Sequence, residues 1–75
     1  MHVISSHRYG GESKVVAIRQ SRASAIMRAI ELAQIVLEEE EYQESARHID
    51  NSTLWGGDVI TANGDDGEIC SYTIT

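Results

Sequence analysis

The 75-residue chain predicts an α+β domain, a small antiparallel sheet in the order β-β-α-β-β with a single main helix covering one face. Three observations carry that reading. Residues 22–39 hold apolar side chains at helical spacing. Short β-branched runs lie on either side of that segment. Glycine-bearing turns then divide those runs into two pairs. With no proline and no low-complexity linker, residues 1–75 read as a single domain.

The first pair is Val3-Ile4 and Lys14-Val15-Val16-Ala17-Ile18-Arg19, joined through Tyr9-Gly10-Gly11-Glu12-Ser13. A hairpin from about His2 to Arg19 is expected, with the second strand better defined than the first, which reads equally as a loose arm. Ser21 is placed to cap the helix, its hydroxyl accepting from free amides of the first turn. Ile26, Ile30, Ala33 and Leu37 then form a stripe, widened by Ala25, Ala29, Leu32 and Val36. Past Leu37 the same face would present Glu40, Glu41 and Glu44, which cannot be buried without partners. The helix therefore ends near Glu40 or projects into solvent. Tyr42, Ala46 and Ile49 allow a further turn or short helix over 41–48.

Asp50-Asn51-Ser52 and Gly56-Gly57 read as an irregular connection around Leu54 and Trp55. Trp55 is either a core plug over the sheet or an exposed interface residue. Asp58-Val59-Ile60-Thr61-Ala62 and Glu68-Ile69-Cys70-Ser71-Tyr72-Thr73-Ile74 are the second strand pair, with Asn63-Gly64-Asp65-Asp66-Gly67 as their hairpin turn. Cys70, Tyr72 and Ile74 share one face of the last strand.

Composition narrows the function. Cys70 is the only cysteine, so no intrachain disulfide forms, which fits a reducing compartment or indifference to redox state. A domain this small has a limited core, and a homodimer is one way to bury more surface. No stretch approaches the ~20 apolar residues of a membrane span. Met1-His2-Val3-Ile4-Ser5-Ser6-His7 lacks the layout of a secretory signal, so the expected address is the cytoplasm.

Enzyme chemistry and metal binding find little support. His2 and His7 fall on opposite faces of a strand, and with His48 they lack the pair spacing of a zinc site. Asn63-Gly64-Asp65-Asp66-Gly67-Glu68 lacks the register of a calcium loop. Ser5, Ser6 and His7 are neighbours on a strand and point apart, while Cys70 is expected to be buried and inert. Neither Gly-Gly pair has phosphate-loop spacing. The reading is a non-enzyme with no cofactor and no metal.

Charge is the distinctive feature. The net charge is −6, but residues 1–30 hold five basic side chains and one Glu, a net +4, while residues 31–75 hold eleven carboxylates and one Arg, a net −10. Glu38, Glu39, Glu40 and Glu41, followed by Glu44, fall at the helix C-terminus, where the macrodipole already disfavours negative charge. Local rules tend to be broken at functional sites. The expected partner-binding residues are these five glutamates with Asp65 and Asp66, docking on a basic surface of a protein or ribonucleoprotein. The bland alternative is a solvated helix end that keeps the protein soluble. Arg19, Arg22 and Arg28 form a smaller basic patch at the helix start, but the acidic remainder argues against direct nucleic-acid binding.

In size, acidity and strand–helix–hairpin layout, the part from Lys14 to Ile74 resembles small phage-encoded host-takeover proteins, among them anti-CRISPR proteins and inhibitors of host RNA polymerase. The resemblance is architectural and assigns no residue. It implies an inhibitor that occupies the basic channel of a nucleic-acid-handling complex in the host cytoplasm. The alternative from a different class is a small structural domain whose exposed strand edges pair with a copy of itself.

Overall fold

The computed structural model describes residues 1–8, 11, 13–39, 48–54, 57–64 and 67–75. Its elements are β1 (His2–Arg8), β2 (Lys14–Arg19), α1 (Arg22–Glu39), β3 (His48–Leu54), β4 (Gly57–Gly64) and β5 (Gly67–Ile74). The strands form one antiparallel sheet in the order β2-β1-β5-β4-β3. The α+β class and the single covering helix stand. The β-β-α-β-β order does not, because β3 makes a fifth strand.

That strand takes in Asp50-Asn51-Ser52, which reads as an irregular connection in sequence. It pairs with β4 without interruption from His48↔Asn63 to Leu54↔Gly57. The reason is its place at the sheet edge. Asp50, Asn51, Ser52 and Thr53 are all exposed, so the strand is held by its ladder rather than by a buried face. Of the short helix expected over 41–48, residues 41–47 lie outside the described residues and His48 opens β3. Trp55 also lies outside them.

Directly opposed residues share a face, so the register sorts the sheet. One row facing α1 runs Ala17–Ile4–Ile74–Asp58–Thr53, the next Ser6–Tyr72–Ile60–Asn51, and the third Arg8–Cys70–Ala62–Ile49. These rows supply the sheet half of the core, with Ile4, Ile60 and Cys70 fully enclosed. The opposite face presents Val15–Ser5–Thr73–Val59–Ser52 and His7–Ser71–Thr61–Asp50. No described element covers it.

The helix meets the sheet along Ala25, Ala29, Ala33, Val36 and Leu37, all buried, while Ile26, Ile30 and Leu32 are only partly so. The centre of contact is thus the alanine line, and the larger aliphatics flank it. Small side chains let the helix axis approach the sheet, and the branched ones wrap the sides.

The start of α1 is fixed by specific bonds. Ser21 accepts at its Oγ from the Ser24 amide (3.1 Å), and its carbonyl accepts from Ala25 (3.0 Å). Arg22 reaches Asp58 on β4 with two bonds, Nε to Oδ2 at 2.7 Å and Nη2 to Oδ1 at 2.8 Å. Arg22 therefore stands against the helix dipole for a reason the linear sequence conceals. The first and last strands pair inside the sheet, where Val3 and Thr75 exchange both backbone bonds at 3.0 Å. Gly67, at φ 101°, opens β5 in a conformation other residues rarely adopt.

Candidate functional site

The topology gives the molecule two unlike ends. Asp58 and Arg22 mark the end where α1 begins. From there α1 runs toward the third row, where Arg8, Cys70 and Ala62 lie. Glu39 at the helix terminus is close enough to raise the pKa of the Tyr72 phenol. That phenol is pushed from 10.0 up to about 12, chiefly by burial, then by its bond to Cys70; Glu39 adds to the shift and Arg8 opposes it.

Two exposed carboxylates stand at this second end, and two more lie on the sheet. Glu38 and Glu39 are both exposed, directly after the buried Val36 and Leu37. Glu68, exposed, begins the climb of β5 out of the hairpin whose flanks are Gly64 and Gly67. Asp50 on β3 is exposed too, and its Oδ2 accepts from Asn63 Nδ2 at 3.1 Å and lies 3.4 Å from His48 Nε2. The structure thus describes two of the sequence-predicted residues, Glu38 and Glu39, while Asp50 stands on the uncovered face of the sheet, opposite the side that α1 covers, and Glu68 lines a depression with His7 and Ser71. Glu40, Glu41, Glu44, Asp65 and Asp66 lie outside the described residues. Glu68 was legible as the residue after the turn. Asp50 was hidden by the unrecognised strand.

The basic side chains of the helix do not neutralise that end. Arg22 is engaged with Asp58, Arg28 Nη1 lies 3.4 Å from Glu31 Oε2 one turn along, and Arg19 Nη1 donates to the carbonyl of Ile18 at 2.8 Å. The arginine patch expected at the helix start is thereby dispersed into separate local bonds. Among the described residues, neither Glu38 nor Glu39 is in an ion pair.

A second polar feature lies on the uncovered face. His7 Nε2 is 2.9 Å from Thr73 Oγ1, and its Nδ1 is bonded to the Ser13 hydroxyl. Both ring nitrogens are therefore occupied by hydroxyls, which fixes the ring. Ser5 and Ser6 take no part. An open depression of about 330 Å³ beside it is lined by His7, Arg8, Glu68 and Ser71. Ser13 is exposed, and the described residues supply no carboxylate bonded to His7 to complete a charge-stabilised base.

No three His, Cys, Asp or Glu side chains among the described residues are placed to share a metal ion. Cys70 is buried and its thiol is a core group. No described helix is long and apolar enough to cross a membrane. Comparison with protein-family models, curated proteins and solved structures finds no match to this chain.

Proposed function

We propose that this protein acts by binding rather than catalysis, docking the acidic end of the molecule on a basic surface of a protein or ribonucleoprotein. The observation that carries the reading is the exposed pair Glu38 and Glu39, left without cationic partners among the described residues while the helix arginines are engaged elsewhere. Glu68 and Asp50 add exposed carboxylates on the sheet, Asp50 on its uncovered face. Carboxylates at a helix C-terminus oppose the helix dipole, and their exposure leaves them available to Lys and Arg of a partner. The sequence places Glu40, Glu41, Glu44, Asp65 and Asp66 next to these positions, and they complete the surface in this reading.

The architectural resemblance to phage-encoded host-takeover proteins makes a nucleic-acid-handling complex the partner class. Its basic channel normally holds phosphates, and clustered carboxylates compete for the same groups. The protein is in this account an inhibitor of phage or mobile-element origin, similar in mode to anti-CRISPR proteins. Affinity capture from a bacterial lysate, with wild type and a Glu39→Lys/Glu40→Lys/Glu41→Lys variant, tests it. The wild type should retain partners at low salt, and the variant should lose more than about tenfold of that capture while keeping its circular dichroism. Equal capture by both proteins would remove the acidic surface from the account.

A further inference from the structure

A second surface, independent of the acidic end, lies at the opposite edge of the sheet. β2 has β1 on one side and no described strand on the other. It is also unusually apolar for an edge, with Val15, Val16 and Ile18 exposed by 59, 37 and 49%. Val15 and Ile18 stand on the uncovered face, where Val3 continues the apolar shelf into β1.

The ladder shows how the edge is presented. In antiparallel pairs a residue exchanges both backbone bonds with one neighbour and none with the other. Val3 gives both of its bonds to Thr75, so its opposite number on β2, Ile18, turns its amide and carbonyl outward. That outward carbonyl is not bare. Arg19 folds back on it, Nη1 to O at 2.8 Å. A guanidinium thus guards an open ladder position, and Lys14 stands exposed at the other end of the strand.

We infer that β2 is a docking edge for an extended peptide with β-branched residues in its middle and carboxylates at its two ends, added antiparallel as a sixth strand. The incoming backbone amide takes the Ile18 carbonyl, and the displaced Arg19 guanidinium takes the terminal carboxylate. Lys14 receives the other carboxylate. Apolar side chains of the peptide lie against Val15, Ile18 and Val3. Charge disfavours the in-register pairing of a second copy of β2. An antiparallel pairing that sets Val15 against Ile18 also sets Lys14 against Arg19, cation to cation.

Three labelled hexapeptides sharing the middle Val-Thr-Val-Thr, with Asp, Asn or Lys at both ends, test this by fluorescence anisotropy on the full chain. The Asp-ended peptide should bind at least roughly tenfold tighter than the Lys-ended one. Arg19→Glu should reverse or abolish that order. Ile18→Pro removes the outward amide at an edge position that tolerates proline, and should abolish binding while circular dichroism stays unchanged. Equal affinity for all three peptides would overturn the inference. So would amide shifts in β3 rather than β2, or a dimer in sedimentation that competes with the peptide.

Discussion

The two ends of α1 are built on opposite principles. At the start, Ser21 caps the free amides and Arg22 is bonded twice to Asp58, a residue only 6% exposed. At the finish, the last turn holds no basic side chain at all, and Glu38 and Glu39 stand in solvent against the dipole. Both ends carry charge of the sign that disfavours the helix. Among the described residues, only at the start does a partner within the chain account for it. The difference teaches that a broken local rule has two physical meanings, a long-range partner within the fold or a partner outside it, and that coordinates separate the two.

The largest effect is expected where that internal partner is removed. Asp58→Ala removes the two charge-assisted bonds that tie the start of α1 to β4 and should lower the Tm by more than roughly 5 °C. The pair also has a pH signature. Its bond to Arg22 is the main cause holding the Asp58 carboxyl below its ordinary 3.8, aided by the charges of Arg22 and His2 and opposed by burial. A carboxyl with a lowered folded pKa contributes stability that is complete above its unfolded value and is lost as pH falls through the folded one. Acid titration of thermal stability should therefore show a decline below pH 3.8 that Asp58→Asn lacks. Identical acid limbs would show the pair to be energetically idle.

A smaller loss is expected at the cap. Ser21→Ala removes the bond to the Ser24 amide and should cost about 1 kcal/mol in urea unfolding, with an unchanged m-value. The smallest effect has the opposite sign. Glu38→Lys with Glu39→Lys replaces unfavourable charge at the helix finish and should stabilise by about 0.3–1 kcal/mol per site at low salt. A loss of stability there would mean that the glutamates serve the fold, and the comparison between the two ends would collapse.

Much of the fold was legible because local chemistry agreed with it. Ser21 and the apolar spacing marked the helix, and the alternation of Cys70, Tyr72 and Ile74 marked the buried face of β5. β3 was not legible, because an exposed edge strand draws its stability from ladder bonds and leaves no periodic apolar signal in Asp50-Asn51-Ser52. The Arg22–Asp58 pair was hidden for a different reason. Its members are 36 residues apart, and only the crossing of α1 over β4 joins them. Of the acidic residues, the run of glutamates was plain in sequence, whereas the place of Asp50 on the uncovered face depended on a strand that sequence did not reveal. His7, read beside Ser5 and Ser6, is instead bonded to Ser13 and Thr73 across two strand contacts.

The most direct test is the association rate of the purified protein with its captured partner as salt is raised from about 50 to 500 mM. Docking through the acidic end predicts a fall of more than about tenfold for the wild type and a flat, slow rate for the Glu39→Lys/Glu40→Lys/Glu41→Lys variant. A rate indifferent to both salt and charge reversal would contradict it.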